Sequence, residues 1–430
     1  MIQELKIKNC LSFKEEVTFS FEATKDKTFE DYQTIEVAPG VRLLRFAMIY
    51  GANASGKSNF LYSIQFLHDF WFEIKKDMTE ETDVMPFKLD KVTPNEPTVF
   101  SLKFYVNETK YWYYLSLNEK EVLSEKLYLY SSVQPTLLFE RKVENNLSVI
   151  NFNPQAIKIS SIAKEEINIK CLPNMSFFAA RNQVNVSLPK IDIARDWMKL
   201  NILPIVSGRS SLFEFAEQEL QSDSVLKSYL LQFIKEADFN ISGINTRTEK
   251  QDIPQEFIEM LLNMDKISET EKEQLRNEKT VTNIRADFEH TVVNERGVEK
   301  YLLSEGLQSD GTRQITGLES AIYKALQKNA LLIVDEIESS LHPQLVYFIL
   351  KKFLEQKDNR AQLLITTHYD PLLNEVDELF RKDSVWFTEK NEAGATELYS
   401  LVEFSGLNRI SSLQKAYRQG RFGAIPKINL

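Results

Sequence analysis

Apolar positions Ile2, Leu5 and Ile7, then Val17, Phe19 and Phe21, alternate with polar neighbours and predict two short strands. A mostly apolar run from Leu43 to Tyr50 has strand length, and beyond it Phe60, Leu61, Ile64 and Leu67 fall at helical spacing. Residues 98–130 are rich in β-formers and broken by Asn107-Glu108-Thr109-Lys110, which predicts an antiparallel meander. The aromatic run Tyr111 to Tyr114 inside it reads as a packed strand rather than a platform for bases.

Between about 185 and 280 the period becomes helical. Leu212, Phe213, Phe215, Leu220, Leu226, Leu230, Phe233 and Ile234 predict amphipathic helices up to Asp238, and Glu256 to Lys279 reads as a solvated helical pair. Strand pattern returns at Phe288 to Val293 and Lys300 to Leu303, followed by a helix with Ile315, Leu318, Ile322 and Leu326 on one face. Two continuous apolar runs, Ala330 to Val334 and Gln362 to Ile365, are expected of parallel strands buried on both faces. Each ends in a polar tip, and Pro343 opens the helix between them. The expected organisation is an N-terminal lobe at 1–184, a helical insertion at 185–284 and a C-terminal lobe at 285–430. Its fold class is α/β, with ligand bound at the carboxyl ends of the strands.

Between the first apolar run and its helix lies Gly51-Ala52-Asn53-Ala54-Ser55-Gly56-Lys57-Ser58, which fits G-x4-G-K-S without mismatch. The two glycines let successive N–H groups face an anion, and the helix N-terminus adds partial positive charge. Lys57 would reach the β- and γ-phosphates, and the Ser58 hydroxyl would take a Mg²⁺ position. Asp335 and Glu336 close the strand at 330–334, as a metal-holding acid and a general base do. His368 stands at the tip of the strand at 362–367, where it is read as a γ-phosphate sensor.

Composition adds limits rather than identity. The 430-residue chain is 43% hydrophobic and 27% charged, ordinary for a globular protein. Its net charge of −10 excludes a non-specific polyanion binder. Cys10 and Cys171 are far apart and without metal-ligand spacing, so they are expected as core thiols in a reducing compartment. No segment approaches the roughly 18 apolar residues of a membrane span, and a cytoplasmic protein is expected.

The loop at 51–58, the hydrophobic run ending Asp335-Glu336, the Ser339-Ser340-Leu341-His342-Pro343 segment and the strand ending at His368 resemble the ABC-type ATPase heads of the SMC and RecF class. With Asn9 to Phe13, Ser309-Asp310-Gly311-Thr312 and the Asp-Glu-x-Glu-x-x-Leu-His-Pro run from Asp335 through Glu338 to Pro343, the set resembles more closely the AAA-family, OLD-like and RloA-like ATPases of bacterial phage-defence systems. That resemblance implies a P-loop ABC-type head with a mixed sheet, an antiparallel β subdomain and a helical insertion. It implies ATP and Mg²⁺ as ligands. Gly51, Asn53, Gly56, Lys57, Ser58 and Asn59 would bind nucleotide, Ser58 and Asp335 the metal, and Glu336 and His368 would be catalytic. Ser309 and Gly311 stand where such heads carry a signature motif that meets nucleotide held by a second copy; Asp310 departs from that motif, where a glycine is usual. A glutamine-bearing loop that touches Mg²⁺ is also implied, with no residue assigned to it.

The implied function is an ATPase that forms a homodimer or higher oligomer around ATP and regulates a separate effector, a nuclease, in anti-phage defence. DNA or a phage component would be the trigger. Only about sixty residues follow His368, too few for a fused nuclease of the OLD type. The alternative is a RecF-like repair ATPase that binds duplex DNA when ATP is present. A scaffold that binds ATP without hydrolysing it fits less well, because Asp335 and Glu336 are both retained.

Overall fold

Five strands, β1 (Ile2–Lys8), β2 (Val17–Ser20), β3 (Thr34–Ala38), β4 (Val41–Leu44) and β5 (Phe46–Tyr50), precede the helix Lys57–Phe72 in the computed structural model. A meander follows: β6 (Thr98–Val106), β7 (Thr109–Leu117), β8 (Val122–Tyr130), β9 (Pro135–Glu144) and β10 (Leu147–Phe152). Later come β11 (Gly243–Asp252), β12 (Thr280–Asn294), β13 (Gly297–Ser304), β14 (Leu331–Val334), β15 (Gln362–Thr367), β16 (Val385–Lys390) and β17 (Thr396–Ser400). The described residues are 1–208, 212–237, 240–252, 254–262, 272–273, 276 and 280–426. Chain contacts divide the protein into one unit of residues 1–208, 324–339 and 349–430 and a second of 209–323 and 340–348.

The first unit holds two large sheets. One is antiparallel, in the order β10-β9-β8-β7-β6-β1-β2, and the other runs β14-β15-β5-β16-β17. In the second sheet β14, β15, β5 and β16 are parallel and β17 is antiparallel. The parallel strands are apolar on both faces because both are covered: all five residues of β5 and all four of β14 are buried. The helix Lys57–Phe72 buries Phe60, Leu61, Ile64, Leu67, Phe70 and Trp71 in a core that both sheets share. Trp71 stacks on Phe178 at 3.7 Å between centroids. Within the meander, Tyr111 and Tyr113 are buried while Trp112 stacks on Tyr128 at 4.6 Å, so the aromatic run packs as strand side chains. Cys10 and Cys171 are buried free thiols, and burial pushes the Cys10 thiol up to about 12.

Arg45 explains why the apolar run 43–50 forms two strands. Its side chain is fully buried between β4 and β5 and donates to the carbonyls of Gln356 at 2.6 Å and Tyr32 at 3.0 Å. Its guanidinium also lies 5.0 Å from the centre of the Phe353 ring. Gln362 ties the sheets together, accepting from Ile2 N–H at 2.6 Å and donating to Ile2 O at 3.0 Å and Leu44 O at 3.1 Å. At the far edge, Val206 N–H donates to Ile333 O at 2.8 Å and Asp335 N–H donates to Val206 O at 2.7 Å, which extends the parallel sheet beyond β14.

The second unit packs the helices Leu212–Ser222 and Ser224–Glu236 with the antiparallel sheet β11-β12-β13. Its core is Leu220, Leu226, Leu230, Ile234, Ile241, Ile244, Ala286 and Phe288. This differs from the expected division at 184, 284 and 285. The helix Pro189–Asn201 lies in the first unit, the second unit begins after Gly208, and the strands β12 and β13 belong to it rather than to a C-terminal lobe. The insertion is therefore not helical throughout. β11 escaped notice because Ile244 is its buried apolar residue while Asn245 to Lys250 are mostly exposed, so main-chain pairing with β12 holds it. Of the helical pair expected at 256–279, the helix Gln255–Leu262 is present, and most of the rest lies outside the described residues.

Two buried carboxylates yield predictions. Arg141 and Glu125 form an ion pair at 3.2 Å with both side chains fully buried, and Phe177 N–H and Tyr113 Oη also donate to Glu125, at 2.8 and 3.0 Å. Glu125→Ala strands the guanidinium and is expected to cost about 3–5 kcal/mol, read as a lower urea midpoint at unchanged slope. Glu217 is 1% exposed, accepts from Ala286 N–H at 2.6 Å, and is pushed up to about 7 by burial. A raised carboxyl stabilises the fold fully below its unfolded value, and that contribution is lost as pH rises through the folded one. Thermal melts at about pH 5 and about pH 8 should therefore show a loss at the higher pH that Glu217→Gln removes.

Candidate functional site

The phosphate loop is held from outside by the last two strands of its sheet. Ser55 Oγ lies 2.7 Å from Thr388 Oγ1, and Thr396 Oγ1 lies 2.8 Å from both Ser55 O and Ser12 Oγ. Asn59 Nδ2 donates to Ser12 Oγ at 2.8 Å. A Cβ on Gly51 would come within 2.6 Å of Thr388 O, a backbone atom that cannot step aside. Gly56 has φ 111°, and a Cβ there would meet Thr396 Oγ1 at 2.3 Å. Both glycines are thus required by close approach, and Gly56 also by its left-handed backbone.

Lys57 opens the loop helix and is 5% exposed. Its ammonium donates to Gly51 O at 2.8 Å and Ala52 O at 3.2 Å, which uses two of its three N–H bonds. Burial holds it below the usual lysine range, against the attraction of Glu336, Asp335 and Glu338. The next residue, Ser58, donates from Oγ to Asp335 Oδ2 at 2.7 Å. The other oxygen, Asp335 Oδ1, accepts from Thr366 Oγ1 at 2.5 Å. Thr366 Oγ1 in turn accepts from Glu336 N–H at 2.8 Å, and Glu336 sits at φ 53° with its side chain exposed. Residues separated by nearly three hundred positions are thereby joined at the carboxyl ends of β5, β14 and β15.

His368 follows β15 with its side chain 54% exposed. Its Nδ1 lies 3.0 Å from Glu338 Oε1, the same oxygen that accepts from His368 N–H at 2.8 Å. The Glu338 Oε2 atom is buried without a hydrogen-bond partner among the described residues. Thr366 carries no signal of its own in the sequence: it sits inside an apolar strand tip, where a threonine also suits β structure. Glu338 is marked there as the second glutamate of the Asp-Glu-x-Glu-x-x-Leu-His-Pro run, but with no role attached to it.

Ser309 and Gly311 belong to the second unit. Ser309 Oγ accepts from Thr312 N–H at 3.1 Å at the start of the helix Asp310–Lys328, and the bonding is that of a helix start. In the first unit, Gly51, Gly56, Lys57, Ser58, Asn59, Asp335, Glu336 and His368 converge on one loop and its adjoining strand ends, with the exposed Asn53 at the loop tip.

The donor set suits a triphosphate with a hard cation. Ser58 and Asp335 offer two oxygen ligands, as Mg²⁺ takes when phosphate and water complete its shell. Among the described residues no group of three or more His, Cys, Asp or Glu side chains is placed to hold a metal without such help. Loop, lysine and strand-end acids together define a P-loop nucleotide-binding head. The chain belongs to the family described as "AAA domain, putative AbiEii toxin, Type IV TA system", whose profile matches residues 46–150 and 215–374.

Solved structures similar to the chain include the SMC head domain from Thermotoga maritima, 12% identical, with a TM-score of 0.41, covering 93% of this chain and 98% of that one. An SmcHead bound to the C-winged helix domain of ScpA is 14% identical with a TM-score of 0.42, covering 97% and 99%. An Smc head with an extended coiled coil, bound to the C-terminal domain of ScpA derived from Pyrococcus furiosus, is 13% identical with a TM-score of 0.36, covering 98% of each. No curated protein sequence matches the chain significantly. No helix among the described residues is long and apolar enough to cross a membrane.

Lys57→Ala removes the one ammonium inside the loop. It is expected to weaken nucleotide binding by about 10- to 100-fold, the equivalent of one charge-assisted bond, with an unchanged circular dichroism spectrum. Isothermal titration with ATP and Mg²⁺ checks it.

Proposed function

We propose that this chain binds ATP in the 51–58 loop, hydrolyses it, and uses the nucleotide to pair with a second copy and so control a separate effector. The observation that supports this most is the bonded chain Ser58–Asp335–Thr366, which fixes an acid beside the loop lysine. In this reading Lys57 and the loop amides bind and orient the β- and γ-phosphates. Mg²⁺, held through Ser58 and Asp335, would neutralise charge developing on those phosphates.

Glu336 accepts the proton of the attacking water. The bond from its own N–H to Thr366 keeps its main chain fixed while its side chain stays exposed for that role. His368 is oriented by Glu338: an Nδ1–H bonded to the carboxylate leaves Nε2 facing away, toward the terminal phosphate. Asn53 and Asn59 lie at the loop tip and on the loop helix, within reach of the bound nucleotide or a facing copy. Ser309 and Gly311 serve the nucleotide of that facing copy, so closure depends on the γ-phosphate and hydrolysis releases it.

A defence or toxin–antitoxin setting is supported by the description of the matched family and by the resemblance to phage-defence ATPases. A nuclease acting in trans is the effector this reading favours, on the resemblance to phage-defence ATPases.

Glu336→Gln should keep ATP binding, shift the mass seen by light scattering from one copy to two when ATP and Mg²⁺ are present, and lower turnover about 10²- to 10⁴-fold. An identical mass with and without nucleotide would remove the pairing step. ATP-dependent retention of duplex DNA, weakening with salt, would replace the effector reading by a repair one.

A further inference from the structure

At the end of the parallel sheet opposite the phosphate loop lies a cavity of about 240 Å³. Asn329 stands two residues before β14 and Arg360 two before β15, whereas Asp335 and the loop stand at the carboxyl ends of the same sheet. Asn107, in the turn after β6, forms one side, and the buried Trp197 of the helix Pro189–Asn201 forms another. β15 has six residues, and a strand advances about 3.3 Å per residue, so roughly 20 Å separates the two places. The cavity is therefore no part of the nucleotide site.

Its charge is one-sided. Lys328 and Arg360 both line it, and no aspartate or glutamate does. Among the described residues neither cation has a carboxylate within ion-pair distance, although the chain carries 62 acids against 52 lysines and arginines. The guanidinium makes one long bond, from Arg360 Nη1 to Asn107 O at 3.4 Å. The Met1 nitrogen, which donates to Tyr105 O at 2.7 Å, feels the same field: burial, and then the charge of Arg360, push it down to about 5. Two unpaired cations at one cavity leave a positive potential that an anion relieves.

The neutral groups around them are fixed in place. Asn201 Nδ2 donates to the carbonyls of Lys328 at 2.8 Å and Asn329 at 3.2 Å, and Asn359 Nδ2 donates to Leu326 O at 2.9 Å. These bonds engage carbonyls at the C-terminal end of the helix Asp310–Lys328, which would otherwise oppose an anion. Asn329 has a left-handed backbone, φ 51°, and its side-chain oxygen accepts from Arg360 N–H at 3.0 Å. Its amide nitrogen keeps both N–H groups unbonded among the described residues.

We propose that this cavity binds a phosphate dianion, with Arg360 and Lys328 supplying the charge and Asn329 Nδ2 a neutral donor. Two cations match a charge near minus two, and the planar guanidinium fork suits two oxygens of one phosphate. The volume is below the roughly 300–1,000 Å³ of a pocket that holds a whole drug-sized ligand. It fits inorganic phosphate or the phosphoryl end of a small phosphomonoester.

The full-length chain is titrated calorimetrically with inorganic phosphate, glycerol 3-phosphate and acetate, after the loop has been saturated with Mg²⁺ and a non-hydrolysable ATP analogue. Phosphate should bind to wild type and to Lys57→Ala alike, and Arg360→Gln and Lys328→Gln should each weaken it about tenfold or more. Tighter binding of glycerol 3-phosphate than of inorganic phosphate would support the site with an ester as its ligand, and the reverse order would support it with the free ion. Acetate binding as tightly as either would overturn the phosphate assignment, and so would the absence of saturable phosphate binding. A signal lost in Lys57→Ala but kept in Arg360→Gln would put the ion in the loop and overturn the proposal. Lys328 is exposed, so its variant tests the site even where Arg360→Gln fails to fold: unchanged phosphate affinity in Lys328→Gln would overturn it.

Discussion

Much of this structure depends on one carboxylate being held at both oxygens. Asp335 takes Ser58 on one side and Thr366 on the other, at 2.7 and 2.5 Å, so the first turn of the loop helix and two strand ends become one object. Such a meeting requires the parallel sheet in register. Thr366 pairs with Ile49 and Val334 with Ile365, which brings the loop, the acid and the threonine to one level. A one-residue slip would turn Thr366 to the opposite face and leave Asp335 without it. Since the partners lie 277 and 31 positions from Asp335, the cost of closing the chain falls on the sheet, and the site exists only once the sheet does.

That dependence explains what was legible in the sequence. The loop could be read because its chemistry is local: two glycines, a lysine and a serine at fixed spacing, between an apolar run and a helix. The strands β14 and β15 could be read because a parallel strand covered on both faces has no polar alternation to hide it. The corrections have equally local causes. Arg45 interrupts an apolar run and looks like a surface residue in sequence, yet in the interior its guanidinium donates to the carbonyls of Tyr32 and Gln356. β11 looks like a charged loop because its backbone bonds, which no residue type announces, hold it to β12. Glu338 could be read as one position of a motif but not given its role, because that role lies in which histidine it meets.

The last sixty residues illustrate the same point from the other direction. In sequence they follow the last of the motifs and carry none of their own. In the fold they supply β16 and β17, and Thr388 and Thr396 of those strands clamp the loop from behind. The glycines at 51 and 56 are therefore doubly determined. An anion needs their amides, and the approaching strands leave no room for a Cβ, so a substitution would disturb the clamp even in a loop that never bound phosphate.

Electrostatics sets the remaining constraint on the loop. Lys57 is buried where a bare ammonium would be costly, and the attraction of three nearby carboxylates opposes its desolvation without cancelling it. Two loop carbonyls share that cost, leaving a third N–H direction for an anion. A phosphate entering such a site meets a donor already oriented and already stripped of water, so little reorganisation is needed when charge arrives. The same carboxylates that oppose the desolvation of Lys57 would repel a bare triphosphate. On the proposed reading, a divalent cation between Asp335 and the phosphates would offset that repulsion.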